Sequence, residues 1–311
     1  MDTPHAGDTR QAGEQRPRRV AVVFNRQSGT GSAEAEDVVA AMREAGAEIV
    51  SVDAPERPTE ITDLARRAAA DAEVLVIGGG DGTISHTLPV FVETGRTLGV
   101  LPMGTANDLA RSLGIPLDPV EAARVIATGA IRSIDLGEIN GRPFCNAVSI
   151  GFPVDVAAYH HRDWKRFLGV FAYPVAWMRA AWSFRPFDVT VRTDEGEFRL
   201  KSMFTLTVMN GRYHGGGLAV DEQSAIDDGV LKVYGIEAVS GWRLLRSFAT
   251  LKLGKLKRDR HTIMFRARHV EITGGRTRRI NVDGDLAGRT PAEIRVMPGV
   301  VRAVVPVSER G

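Results

Sequence analysis

The chain has 311 residues, 43% hydrophobic and 25% charged, enough to bury a large core that we expect to divide into two domains. Its 40 basic and 38 acidic residues leave a net charge of +2, which argues against a general nucleic-acid binder. The single cysteine, Cys145, excludes an internal disulfide and a cysteine-rich metal site and favours a reducing, cytoplasmic setting.

The beginning of the chain is polar and lacks the apolar core of a signal peptide, so we predict a disordered arm over residues 1–17. The longest uncharged apolar stretch of the second half, LGVFAYPVAWM (168–178), is shorter than the roughly 20 residues that a spanning helix needs. We therefore predict a cytoplasmic protein without a transmembrane segment.

Strands and helices alternate from Arg19 to about Thr128. The predicted order is strand VAVVFN, helix SAEAEDVVAAMREAG, strand EIVSVD, helix ITDLARRAAAD, strand EVLVIG, a helix from Gly82, strand LGVLPM and the segment GTANDLARSLG. Such alternation is typical of a parallel sheet covered by helices. It predicts a doubly wound α/β nucleotide-binding domain over residues 18–130.

The pattern then changes to β-type runs separated by glycine-rich or polar turns. The runs are RSIDLGEING, FDVTVRT, FTLTVMNG, GVLKVYGIE, HVEITG and AEIRVMPG. They predict a mainly antiparallel β second domain over residues 131–304, interrupted by helical stretches near 163–183 and 239–254. A C-terminal tail over residues 305–311 could pack back on the first domain.

Three loops leave the carboxyl ends of predicted strands in the first domain: NRQSGTGSA (25–33), GGGDGT (78–83) and PMGTAND (102–108). Ligands of open α/β sheets bind at this edge, and the unpaired N–H groups of a helix's first turn attract phosphate. Any one loop alone is explained as well by glycines that only form a turn, but three together predict a polyphosphate site. None has the pattern of a Walker loop or of the dinucleotide fingerprint.

These loops, with GTANDLARSLGIP and the later motifs SIDLGEING, NGRYHGGG, AIDDGVLKV and NVDGD, resemble the bacterial diacylglycerol kinase catalytic-domain family of lipid kinases. That family is related to sphingosine kinases and NAD kinases, and the resemblance covers residues 19–308. It implies transfer of the γ-phosphoryl group of ATP, with Mg²⁺, to a diacylglycerol-like or related lipid hydroxyl between the two domains. An enzyme of phospholipid biosynthesis is therefore expected.

The resemblance also implies roles for individual residues. The nucleotide would be held by Asn25, Ser28, Gly29, Gly79, Gly80, Asp81, Gly82, Thr83, Thr105 and Asn107. Asp283 would be the catalytic base, in a polar network with Asp81, Asp108 and Asp135. Asp228 would ligate a structural Mg²⁺ together with backbone carbonyls near Ala225 and Val230.

The chemistry of phosphoryl transfer suits these residue types. Its transition state needs positioning, N–H donors and a metal more than a covalent nucleophile, and a carboxylate can accept the proton of the attacking hydroxyl. Asp283 can do so only if folding brings it near Asp81. The alternative reading of VDGD is an acid in a hairpin turn.

Several residues depart from the family pattern. Ser85 and His86 stand where Asn-Glu is usual, and Asp285 replaces the Glu of DGE. Arg26 stands where proline is common and Glu222 falls near a usual proline. His86 bears most on activity, and its alternative reading is a partly exposed residue on the helix after the loop.

The acceptor is the least determined feature. The stretch FLGVFAYPVAWMRAAWSF (167–184) could line an acyl-chain pocket, dip into a membrane surface or belong to the core. The basic clusters 252–261 and 276–279 are either solvated faces or contacts to an anionic membrane surface or to phosphate. We expect a lipid substrate at the membrane surface, peripheral membrane binding and no nucleic-acid partner, and we leave a homodimer open.

Two other functions compete with this expectation. An NAD kinase-like small-molecule kinase would keep GGDG, but GTAND and the DDG motif argue against it. A non-catalytic lipid- or nucleotide-binding module would have lost its chemistry. The retention of Asp81, Asp108 and Asp283 argues against such a loss, whereas His86 leaves it open.

Overall fold

The first half of the chain forms the predicted parallel sheet. The computed structural model describes residues 17–25, 32–152, 154, 184–214, 217–219, 224–238 and 262–307. The strands here are β1 (Arg19–Phe24), β2 (Glu48–Asp53), β3 (Val74–Gly79) and β4 (Thr97–Pro102), paired in parallel in the order β2, β1, β3, β4. Every residue of β3 and β4 is buried, as expected for parallel strands covered on both faces.

Five α-helices are described in the first half of the chain. They are α1 (Ser32–Glu44), α2 (Ile61–Ala68, preceded by a 3₁₀ turn at Pro58–Glu60), α3 (Asp81–Thr94), α4 (Asp108–Ser112) and α5 (Pro119–Thr128). We did not identify α5 in the sequence, although its start signals are present. Asp118 accepts the Glu121 N–H at 2.9 Å, and Pro119 occupies the first turn.

The second half is mainly antiparallel, as predicted. Its strands are β5 (Ala130–Ile139), β6 (Arg142–Phe144), β7 (Ala147–Gly151), β8 (Phe187–Thr193), β9 (Gly196–Met209), β10 (Tyr213–His214), β11 (Leu218–Ala219), β12 (Leu231–Glu237), β13 (Thr262–Ala267), β14 (His269–Thr273), β15 (Arg279–Val282), β16 (Asp285–Arg289) and β17 (Ala292–Val305). Among the described residues the structure adds seven strands to the sequence prediction, because short runs carry too little periodicity to identify: β6, β7, β10, β11, β13, β15 and β16.

The last strand joins the two halves into one sheet. The first part of β17 pairs with β14 and the end of β5, and a register shift follows between Met297 and Val301. Beyond the shift, Ala303 pairs in parallel with Leu98 of β4. Four residues of this part pack into the first core: Val301, Ala303, Val304 and Val305. The return to the first domain therefore begins within β17, before the tail that the sequence suggested.

Two predicted helical stretches, near 163–183 and 239–254, lie outside the described residues, as do Ser28, Gly29, Arg26 and Glu222. Within the described part of the chain, no helix has the length and apolar character required to span a membrane.

Candidate active site

The glycine loop between β3 and α3 presents an uncapped helix end. Gly80, the N-cap residue of α3, has an extended backbone and no side chain that could accept a hydrogen bond from the first-turn N–H groups. The Asn25 amide at the end of β1 donates to the Thr83 hydroxyl at 2.7 Å. The first loop is thereby tied to the start of α3, while the helix's N–H groups stay available for an anion.

The glycines of this loop differ in the space that surrounds them. A Cβ on Gly79 would lie 2.6 Å from the Thr83 side chain, and one on Gly80 would lie 3.2 Å from the backbone of Gly104 in the third loop. A Cβ on Gly82 would meet nothing within 4 Å. Gly79 and Gly80 therefore allow internal packing, and Gly82 faces open space at the helix end.

The third loop uses its own asparagine to hold its shape. Asn107 adopts a left-handed backbone conformation (φ 52°), its side-chain oxygen accepts the Gly104 N–H at 2.9 Å, and its amide donates to Gly104 O at 2.8 Å. Asn107 therefore holds the shape of this loop through its oxygen and one of its two amide N–H groups. Thr105 is exposed at the same loop.

Asp81 lies where the first domain meets the second. Its Oδ1 accepts the backbone N–H of Leu109 and the side-chain amide of Asn146, both at 3.1 Å. Its Oδ2 receives no hydrogen bond from any described residue. The carboxylate is therefore oriented through one oxygen and open at the other.

Asp283 is a buried carboxylate held by backbone donors. Its Oδ1 accepts the N–H groups of Asn146 and Ala147, and its Oδ2 accepts that of Cys145, each at 2.9 Å. Burial raises the pKa of Asp283 above its ordinary value, and these N–H donors counteract part of that rise. The buried Ser85 hydroxyl has no hydrogen-bond partner among the described residues.

Asn146 connects the two carboxylates. Its backbone N–H binds Asp283 while its side-chain amide binds Asp81, so one residue joins the glycine loop of the first domain to the VDGD turn of the second. Folding thus brings Asp283 near Asp81, which is the condition under which Asp283 could act as a base. We did not predict Asn146 as a site residue, and the available signal was an amide side chain directly before a buried strand.

The other two acids of the predicted network are placed differently. Asp108 is buried, and its Oδ1 accepts the Gly217 N–H at 2.6 Å. Asp135 accepts the Gly299 N–H at 2.8 Å on one oxygen and the Gly229 N–H at 2.6 Å on the other. The Asp135 carboxylate therefore holds two backbone turns in place, and neither of these hydrogen bonds involves Asp81 or Asp283.

The predicted magnesium ligands surround a lysine. Lys232 Nζ lies 2.7 and 2.5 Å from the two carboxylate oxygens of Asp228, and 3.3 and 3.2 Å from the carbonyl oxygens of Ala225 and Val230. Lys232 is 1% exposed. The sequence analysis missed this lysine because a charged residue in an alternating strand is normally assigned to the solvent face.

Two departures from the family pattern contact each other. His86 Nε2 lies 3.0 Å from Asp285 Oδ2, and the Arg142 guanidinium lies 3.5 Å from the same oxygen. Asp285 raises the pKa of His86, and His86 lowers the pKa of Asp285. His86 is half-exposed on α3, in agreement with the alternative interpretation of this residue. Its ion pair with Asp285 links α3 to the turn that carries Asp283.

The described end of the apolar stretch packs into an aromatic cluster. Phe184 lies 5.5 Å from Phe152 and 5.1 Å from Phe204 between ring centroids, and Phe152 stacks on Phe204 at 4.7 Å. Of the basic clusters, 252–261 lies outside the described residues. In the other, the Arg278 guanidinium lies 5.0 Å from the centre of the Phe187 ring.

Comparison with known proteins identifies the family. Residues 19–139 match the model of the diacylglycerol kinase catalytic domain, and residues 146–305 match the YegS C-terminal NAD kinase beta sandwich-like domain. The chain belongs to the diacylglycerol kinase family. This family membership confirms the resemblance drawn from the motifs and makes the protein a kinase.

Similar proteins cover nearly the whole kinase. A "Probable lipid kinase YegS-like" of Pseudomonas aeruginosa is 32% identical over 92% of this chain and 93% of its own length. A diacylglycerol kinase of Mycobacterium tuberculosis is 30% identical over 93% of this chain and 95% of its own. A crystal structure of a diacylglycerol kinase from Bacillus anthracis matches with a TM-score of 0.77 at 22% identity, over 94% of this chain and 98% of that one, which confirms the fold.

Among the described residues no group of three or more His, Cys, Asp or Glu side chains could hold a metal ion. A single open carboxylate oxygen, Asp81 Oδ2, fits a magnesium ion that arrives with its remaining ligands on a nucleotide and in water.

Proposed function

We propose that this kinase transfers the γ-phosphoryl group of Mg-ATP to the hydroxyl of a diacylglycerol-like lipid. The observation that carries the proposal is the Asn146 bridge, which sets a buried carboxylate against an uncapped helix end. A phosphate donor site and a proton acceptor are the two parts that this reaction requires.

The nucleotide's phosphates would bind at the start of α3. The first-turn N–H groups and the positive end of the helix dipole stabilise the negative charge, and Gly82 leaves space for close approach. Bound Mg²⁺ would neutralise charge on the phosphates. The Asp81 Oδ2 atom is the described carboxylate oxygen best placed to hold it, because Oδ1 is already engaged.

Asp283 would take the proton of the attacking hydroxyl. Burial raises its pKa, which makes the ionised form a stronger base than an exposed aspartate. Its backbone donors fix the carboxylate in one orientation, so the base needs no reorganisation during the reaction.

The course of β7 supports a lipid acceptor. The strand begins at Ala147, beside Asp283, and ends directly before Phe152 in the aromatic cluster. Its five residues span about 16 Å. A polar site and an apolar cluster at this separation suit a molecule with a hydroxyl at one end and acyl chains at the other.

A phosphorylation assay on a panel of acceptors tests the proposal. The purified kinase is given Mg-ATP with diacylglycerol, other lipid alcohols presented in mixed micelles, or NAD. We expect phosphorylated lipid that forms fastest with diacylglycerol-like acceptors. Phosphorylated NAD alone would establish the small-molecule kinase, and no product with any acceptor would favour the non-catalytic binding module.

A further inference from the structure

The turn at residues 225–230 closes around the buried ammonium group of Lys232. The Asp228 carboxylate and the carbonyls of Ala225 and Val230 all lie within 3.3 Å of Nζ. These are the atoms that the family resemblance assigns to a structural Mg²⁺. One position thus has two candidate cations, the lysine of this chain and a metal.

The geometry fits an ammonium group. Lysine has three N–H donors, and the site offers three acceptor groups, one carboxylate and two carbonyls. The distances of 2.5 to 3.3 Å are those of hydrogen bonds. Mg²⁺ takes six ligands at about 2.0–2.1 Å and Ca²⁺ six to eight at about 2.3–2.6 Å, whereas four described oxygens surround this position.

The fold brings the lysine to this position. Leu231 and Val233 of β12 point into the second hydrophobic core, so the alternation of the strand directs Lys232 to the opposite face, beneath the turn. Asp135 holds the same turn at another point, because its carboxylate binds the Gly229 N–H and its N–H binds Ile226 O. Lysine and aspartate together connect the turn to two strands.

We infer that the Lys232 ammonium replaces a structural divalent cation in this kinase. Its charge lies against the same oxygens and repels any second cation at hydrogen-bond distance. The turn is therefore stable without metal, and no divalent cation is needed to hold it. The inference concerns the stability of the second domain and holds whichever acceptor the kinase uses.

Thermal unfolding of the nucleotide-free protein tests this inference. We expect the wild type to unfold at the same temperature, within about 1 °C, in EDTA, Mg²⁺ or Ca²⁺. Lys232→Gln leaves Asp228 without its cation, so its midpoint in EDTA should fall by about 5 °C or more. Mg²⁺ or Ca²⁺ should then restore part of the loss. Lys201→Gln, at an exposed lysine of β9, is the matched control and should show neither effect.

Asp228→Asn separates this turn from any other metal site. The variant leaves a buried ammonium without its carboxylate, so it should be destabilised and no divalent cation should restore it. The inference would be overturned if a divalent cation raised the unfolding midpoint of the wild type but not that of Asp228→Asn. It would also be overturned if Lys232→Gln in EDTA unfolded at the same temperature as the wild type. If Lys232→Gln does not fold, the double variant with Asp228→Asn decides, and it should unfold at a higher temperature than Asp228→Asn alone.

Discussion

Replacing Asp283 by asparagine separates proton transfer from structure at the proposed base. The left-handed backbone at this position (φ 49°) suits asparagine as well as aspartate, so the change adds little strain. The asparagine oxygen can keep the Asn146 and Ala147 N–H bonds, but its NH₂ group then faces the Cys145 N–H. We expect a loss of about 1–3 kcal/mol in the free energy of unfolding.

The catalytic effect should be larger than this structural effect. An asparagine cannot accept the hydroxyl proton, so kcat should fall by about 10²–10⁴-fold, which corresponds to about 3–5 kcal/mol in the barrier. ATP affinity should persist, because the uncapped end of α3 lies in the other domain. The acid limb of the wild-type rate should lie above pH 3.8, since burial raises the pKa of Asp283, and this limb should be absent from the variant.

Asp135→Asn is the matched control. Asp135 is also buried and also binds backbone N–H groups through both oxygens, but its partners are Gly229 and Gly299 and not Asn146. The assays are single-turnover phosphorylation, ATP binding and urea unfolding at one temperature. A kcat loss below tenfold for Asp283→Asn at full ATP occupancy would refute the base assignment. An equal kcat loss in Asp135→Asn would show that the effect is structural.

Four further outcomes are expected. Gly82→Val should weaken ATP binding at least tenfold with little change in stability, whereas Gly80→Ala should contact the third loop and destabilise the fold. Unchanged ATP affinity in Gly82→Val would show that the glycine loop forms a turn and does not bind phosphate. Asn146→Ala removes a donor to the Asp81 carboxylate and should cost about 1.5–3 kcal/mol in urea unfolding, together with a lower kcat; a neutral variant would contradict the bridge. The folded pKa of His86 is raised, so its ion pair stabilises fully below pH 6.5 and is lost as pH rises through the folded pKa. His86→Gln should therefore lose less than about 1 kcal/mol at about pH 6 and nothing at about pH 9, and equal losses at both would contradict the pairing. Vesicle binding should rise with anionic lipid and fall with salt, and salt-insensitive binding would exclude a peripheral, charge-driven contact.

Much of the fold follows from local sequence patterns. Buried parallel strands are nearly continuous apolar runs and their helices have apolar residues at helical spacing. The first domain could therefore be predicted in chain order, except for α5. Strands β7 and β15 could not, because four or five residues are too few to separate a strand from other buried segments. The short motifs were sufficient to indicate the family, because the spacing of their glycine, hydroxyl and acidic residues is a local property of the sequence.

The pairing of distant side chains depended on tertiary structure. Asp135 and Asp283 are both acids in short β-region motifs, yet one carboxylate binds Gly229 and Gly299, and the other meets Asn146 beside Asp81. Sequence spacing carries no information on such contacts, because they depend on which strands become neighbours in the sheet.

The amino-acid sequence by itself determined the α/β and β halves, the position of the glycine loops and the kinase family. Only the tertiary structure placed Lys232 within the turn at residues 225–230 and returned β17 to the first domain. The physical reason is the range of the interactions. Periodicity, caps and turns act over a few residues, whereas a buried charge selects its partner from whatever the folded chain brings within hydrogen-bond distance.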